Sequence, residues 1–213
     1  MTKTKTGKGL LAALALLAAP AAEAAVIGFE DAGIASGDAL PNGYAGYDWS
    51  GFQLVDPVGE DLNGGWRNGV TGRWIAYNDM AGPASLSRDT GFNLNRGSFV
   101  GAWRNGLEIT ATGFVGDVAA FTKVFTVDAR AASTVLFGWA GLSSVTFTSA
   151  GGTDVFDISG EQFGLDNLDV SDVSSVVPEP ATWALMLTGF ALVAAGLRRR
   201  RRETDRRGAT RPA

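Results

Sequence analysis

Residues 107–112 read LEITAT: Leu107, Ile109 and Ala111 share one parity, with Glu108, Thr110 and Thr112 between them. A period of two puts the apolar set on one face of an extended chain and the polar set on the other, as in a half-buried β-strand. The same reading extends outward. From Ala119 to Val127, Phe121, Phe125 and Val127 fall on one side, with Lys123 interrupting them. Val135, Phe137 and Trp139 share a face, and so do Val145 and Phe147. Phe163 and Leu165 have the opposite parity to Leu168 and Val170, so a bulge near Asp166-Asn167 is needed to keep all four on one side. No stretch between 26 and 176 has a convincing helical period. Gly, Asn and Asp punctuate the runs at intervals near ten residues, the spacing of a sandwich.

Asn-Gly stands at 42–43, 63–64, 68–69 and 105–106 and favours tight type I′ turns. Trp-Arg-Asn-Gly occurs at 66–69 and again at 103–106. The flanks of the two copies differ, which indicates a shared turn solution rather than a duplication. The expected fold is all-β: an antiparallel two-sheet sandwich of jelly-roll type with about eight strands. No repeat of the period needed for a propeller or a β-helix is visible.

The two ends have a different chemistry. Lys3, Lys5 and Lys8 precede an apolar run from Leu10 to Ala19, and Ala22-Glu23-Ala24 places small residues where a signal peptidase reads them. Residues 1–24 therefore read as a secretory signal peptide. Near the other end, VPEPATWALMLTGFALVAAGLRRRRR runs from Val177 to Arg202. Ala181 to Leu197 carry no charge and would cover about 25 Å as a helix, close to the lower limit for a membrane span. Pro178 and Pro180 disfavour helix upstream of it. Trp183 stands at one boundary, and Arg198, Arg199, Arg200, Arg201 and Arg202 form a basic stop that the positive-inside rule places in the cytoplasm. The expected organisation is signal peptide 1–24, sandwich 25–172, linker 173–180, transmembrane helix 181–197 and Arg-rich cytoplasmic tail 198–213.

Val177, Pro178, Glu179 and Pro180, followed by the apolar helix and the arginine cluster, resemble the PEP-CTERM sorting signal of Gram-negative bacteria. The resemblance covers about the last 37 residues, and the tail continues past the arginines from Glu203 to Ala213. It implies passage through signal peptidase and the secretion machinery and transient anchoring in the inner membrane. Processing by an exosortase-type enzyme that reads Pro-Glu-Pro would follow, then delivery to the cell surface or extracellular matrix. Hosts of this family usually make exopolysaccharide or biofilm matrix. A permanent single-span anchor is the alternative use of the same segment. The body resembles the small Gly-rich sandwich domains that accompany this signal, through Phe29-Glu30, Tyr47-Asp-Trp-Ser-Gly-Phe52 and Phe163-Gly-Leu-Asp-Asn-Leu168.

Charge and composition exclude several classes. The chain has 18 basic and 22 acidic residues. Lys3, Lys5, Lys8 and eight tail arginines lie in the ends, so seven basic and eighteen acidic residues remain in 25–177, a net charge of about −11. Such a body offers no basic patch for nucleic-acid phosphates. There is no cysteine and no histidine. Disulfides, Ser-His-Asp and Cys-His catalysis and His-rich metal sites are all excluded. The stretch GKGLLAA lies within the signal peptide and lacks Walker spacing.

Three kinds of site remain open. Glu30 and Asp31 at the end of a first strand and Asp166 in the last could share a structural calcium, which takes carboxylate and carbonyl oxygens and would tie the ends of the body together. Tyr47, Trp49, Trp66 and Trp103 beside Asn, Asp and Arg are candidates for stacking on sugar rings, with ordinary core packing as the plain alternative. A carboxylate pair drawn from Asp48, Glu60, Asp61, Asp79 or Glu108 could hydrolyse glycosides. The reading favoured by the sequence is a non-enzymatic exported protein with a structural or adhesive role. The alternative is a carbohydrate-binding module for exopolysaccharide, and a carboxylate-based glycoside hydrolase is the distant third.

Overall fold

The computed structural model describes residues 24–173, 186–194 and 198. Residues 24–173 lie in one compact unit. Its strands are β1 (Ala24–Ile27), β2 (Asp48–Ser50), β3 (Phe52–Val55), β4 (Ile75–Asn78), β5 (Ala84–Gly101), β6 (Arg104–Asn105), β7 (Leu107–Val115), β8 (Val118–Val127), β9 (Ser133–Ala150), β10 (Thr153–Asp154) and β11 (Phe163–Asp172). One turn of helix, α1 (Gly65–Gly69), lies between β3 and β4. Nine strands join in one antiparallel sheet, β3-β4-β11-β5-β9-β7-β8, with β1 added to β11 and β2 to β5; β6 and β10 form a small separate pair.

This sheet is folded over on itself. Along its order β9 is four strands from β3, about 19 Å if the sheet were flat. Yet the rings of Phe52 on β3 and Phe147 on β9 have centroids 6.4 Å apart. Likewise, Phe137 and Phe147 lie ten residues apart on β9, about 33 Å of extended chain, but their rings are 6.2 Å apart. Strand β9 therefore runs through both layers of a sandwich and turns sharply between them. Gly138 (φ 64°) and Gly141 (φ 71°) take left-handed conformations there, which side chains resist. On β5, the β9 ladder is interrupted between Ser87 and Phe92. The all-β antiparallel sandwich expected from alternation is thus present. Two of its nine strands, β5 and β9, are 18 residues long, about double the length expected of a sandwich strand.

The main core fills the space between the layers. Phe29, Phe52, Phe92, Phe99, Phe147 and Phe163 are essentially inaccessible to solvent. Phe99 is the hub, with ring centroids 5.0 Å from Phe125, 5.4 Å from Phe147 and 6.0 Å from both Phe137 and Phe163. Leu107, Ile109 and Ala111 are buried while Glu108 is exposed, as LEITAT requires. The bulge expected near Asp166-Asn167 is real: the β11–β5 register shifts between Asp166 and Asp169, and Asn167 has φ 48°. Phe163, Leu165, Leu168 and Val170 consequently all reach the core.

A second, smaller core of Val55, Trp66, Ile75, Val100, Ala102 and Trp103 lies beside it. The two Trp-Arg-Asn-Gly copies meet here but do not share a conformation. Residues 66–69 belong to α1, whereas Arg104–Asn105 form β6. Of the four Asn-Gly pairs, Gly43 and Gly106 take positive φ, Gly64 is extended and Gly69 is helical. Neither Asn42 nor Asn105 takes positive φ, so none of the four pairs forms the expected type I′ turn.

Residues 186–194 are helical. Among the described residues no helix is long and apolar enough to cross a membrane. The other residues of the expected span 181–197, the Val177–Pro180 motif, the signal peptide up to Glu23, and Arg199 to Arg202 lie outside the described residues.

Candidate functional site

The four rings expected to meet a sugar are placed inside the protein. Tyr47, Trp49, Trp66 and Trp103 are 3%, 5%, 8% and 7% exposed, which leaves no open ring face for stacking. The Trp49 indole N–H donates to the Tyr44 carbonyl at 2.9 Å, and its ring meets Phe29, Tyr47 and Phe52 edge-on. Trp66 packs against Trp103 at 4.9 Å and Tyr77 at 4.8 Å. Their polar sequence neighbours had pointed outward, but long-range packing claims the rings themselves.

Glu30, Asp31 and Asp166, the expected calcium ligands, have separate protein partners. Asp166 is fully buried at the β11 bulge and accepts the Thr71 and Asn167 amides, each at 2.7 Å. Burial pushes its carboxyl up to about 6; the two amides oppose this, and the nearby Glu30 charge adds to it. Glu30 accepts the amides of Arg73 (2.9 Å) and Trp74 (3.1 Å). Asp31 turns away and accepts the Tyr44 hydroxyl at 2.8 Å. Among the described residues no group of three or more His, Cys, Asp or Glu side chains is spaced to hold a metal ion. The amides of Thr71, Arg73 and Trp74 thus converge on the two carboxylates Asp166 and Glu30. Gly72, with φ 102°, lets that segment wrap close to Glu30. Asp56 completes the clamp: it accepts the Gly59 amide and the Arg73 guanidinium, and both hold its carboxyl below the usual range. Sequence reading found Glu30 and Asp166 but not the 71–74 segment they hold, of which Gly72 was the one visible sign.

Above this clamp lies a cleft of about 800 Å³ at the open edge of β1. Its walls include Ile27, Glu30, Asp31, Tyr44, Tyr47 and Arg88. Among the described residues β1 pairs only with β11, so every second residue of β1 turns its N–H and C=O away from the sheet. Burial, and then Asp31, hold the Tyr44 phenol above its ordinary range. Arg88 pairs with Asp172 at 2.6 Å and lies 5.6 Å from the Tyr47 ring centre. With Glu30, Asp31 and Asp172 around one arginine, the cleft is acidic, rich in hydrogen-bond acceptors and part aromatic. It suits a polar ligand that is neutral or cationic.

Several solved carbohydrate-binding modules are similar in outline. TmCBM61, solved in complex with beta-1,4-galactotriose, shares 10% identity with a TM-score of 0.36, over 62% of this chain and 94% of that one. A family 29 carbohydrate-binding module shares 19% identity with a TM-score of 0.37, over 72% and 90% respectively. No curated relative matches the chain. The family comparison identifies the C-terminal segment instead: over residues 176–202, this chain carries a PEP-CTERM protein-sorting motif.

Proposed function

We propose that this is an exported protein, sorted through its C-terminal signal by an exosortase-type enzyme, with a structural or adhesive role at the cell surface or in the extracellular matrix. The carrying observation is the sorting motif at 176–202, placed directly after a body whose last strand ends at Asp172. Proline has no amide hydrogen and disfavours helix in the residue before it, so Pro178 and Pro180 suit a motif that a processing enzyme must read. The basic run from Arg198 holds the far end of the segment on the cytoplasmic side until it is cut away. Mass spectrometry of the mature C-terminus tests this. Loss of everything beyond the Pro-Glu-Pro region is expected, and an extracellular product with its Arg-rich tail intact would refute processing.

A second reading, recognition of exopolysaccharide, is supported by the β1-edge cleft rather than by the buried tryptophans. The cleft has the size of a short oligosaccharide site, with Arg88 as donor and Glu30, Asp31 and Asp172 as acceptors for sugar hydroxyls.

A further inference from the structure

Asn-Gly pairs carry a chemical hazard besides their turn geometry. The glycine nitrogen, unhindered by a Cβ, can attack the asparagine side-chain carbonyl, which makes such an asparagine labile. Four such pairs stand in the body, and the fold restrains three of them. At 42–43, Asn42 Oδ1 accepts the Trp49 amide at 3.1 Å and the Gly43 amide donates to the Tyr47 carbonyl at 2.9 Å. At 105–106, Asn105 Oδ1 accepts the Ala129 amide at 2.9 Å and the Gly106 amide donates to Asp128 Oδ1 at 2.8 Å. At 68–69, Asn68 Nδ2 donates to the Ala129 carbonyl at 2.8 Å, and Gly69 lies within α1 against Val100. Asn63-Gly64 is the exception. Among the described residues, neither the exposed Asn63 side chain nor the Gly64 amide has a protein partner. Gly64 as a whole is buried beneath the Trp103 ring. A backbone amide without a protein partner is held by water, so the Gly64 nitrogen meets the base that takes its proton.

We propose that Asn63 is a self-modification site, converting to aspartate and isoaspartate through a cyclic imide closed by Gly64. The Gly64 nitrogen gives its proton to water and bonds to Asn63 Cγ. The bond from Cγ to the side-chain nitrogen breaks, and ammonia leaves with a proton. Water then adds to either imide carbonyl and opens the ring. Opening at Cγ gives aspartate. Opening at the main-chain carbonyl gives isoaspartate, in which the chain runs through the former side chain and is one atom longer. The sum consumes water and releases ammonia, with no oxidation or reduction. The lengthened backbone has no slack to occupy. A Cβ added at Gly64 would lie 2.6 Å from Trp103 Cζ3, and one at Gly65 would lie 1.8 Å from the Gly101 carbonyl oxygen. The Gly65 amide is itself bonded to the Ala102 carbonyl at 2.6 Å. Isoaspartate just upstream therefore pushes α1 off the smaller core and separates Trp66 from Trp103, whose rings stand 4.9 Å apart. The site is independent of the sorting and sugar readings, since it needs only this chain and water.

Incubation of the full chain in detergent and heavy-oxygen water at mildly alkaline pH, followed by peptide mapping, tests this. Asn63 is expected to take up label about tenfold faster than Asn42, Asn68 or Asn105, the factor set by first having to break one hydrogen bond at those pairs. In urea, where the fold no longer distinguishes them, the four pairs should convert at similar rates. Asp128→Ala strips the Gly106 amide of its acceptor and should raise conversion at Asn105 several-fold. Tryptophan emission of the incubated chain should shift to the red in proportion to isoaspartate at 63, and an Asn63→Ser chain should show no such shift. A folded-state rate at Asn63 no greater than at the other three, or an unchanged rate at Asn105 in folded Asp128→Ala, would overturn the proposal.

Discussion

Replacing Phe99 by alanine tests the folded-over sheet at its centre. Phe99 is fully buried, and its ring meets Phe125, Phe137, Phe147 and Phe163, which come from three other strands. Loss of the buried ring costs about 2 kcal/mol in transfer free energy. The hole it leaves adds a term of similar size, because surrounding strands tied into one ladder can collapse only in part. The expected total is about 4 kcal/mol, a large share of the roughly 5–15 kcal/mol that holds a domain of this size together. Urea unfolding, followed by the fluorescence of the buried tryptophans, reads the change as a shift in midpoint at unchanged slope. Leu136→Ala is the internal control: it lies on the same strand as Phe137 but is 66% exposed, and it should move the midpoint little. A Phe99→Ala loss below about 1 kcal/mol, or equal to that of Leu136→Ala, would refute the convergence of those four rings on one point.

Two further outcomes follow from the clamp and the cleft. Asp166 titrates near 6 when folded and near 3.8 when unfolded, so the folded state binds the extra proton between those values and stability from this group falls as pH rises from about 4 to about 6. Urea midpoints across that window should show this slope in the native chain and lose it in Asp166→Asn; parallel profiles would count against a buried, strained carboxylate. If the β1-edge cleft holds sugar, neutral hexose oligosaccharides at millimolar concentration should bind by calorimetry, and Arg88→Ala should weaken them about tenfold with little change in melting temperature; no heat from any of a broad panel would exclude that use of the cleft.

Alternation made most of the β elements readable. LEITAT, the Phe121–Val127 face and the Phe163–Val170 face all point where parity says, and the parity break at Asp166-Asn167 coincides with the observed bulge. Strand β5 was not readable. Its buried Ala84, Leu86, Phe92 and Leu94 share one parity, but Arg88 and Asp89 interrupt them where the strand changes layers, and Phe99 follows with the other parity. Strand β9 resembled two strands because Gly138 and Gly141 separate its halves. At the candidate site, residue type revealed Glu30 and Asp166 but not their partners, since hydrogen bonds to amides 71–74 leave no signature in side-chain chemistry. The fate of Trp66 and Trp103 depends on each other across 37 positions of chain, a contact no local pattern encodes.

The antiparallel seam between β1 and β11, with Ala24 opposite Ser171 and Ile27 opposite Leu168, joins the first strand of the body to its last. For a polypeptide threaded outward from its amino end, the leading strand has no neighbour until some 140 residues later the trailing one emerges. If the chain is exported amino end first, as proposed above, this long-range pairing closes only after β11 has emerged. On that reading the seam is a latch that shuts on arrival, and a product truncated before Phe163 would keep its β1 strand unmatched and its interior open.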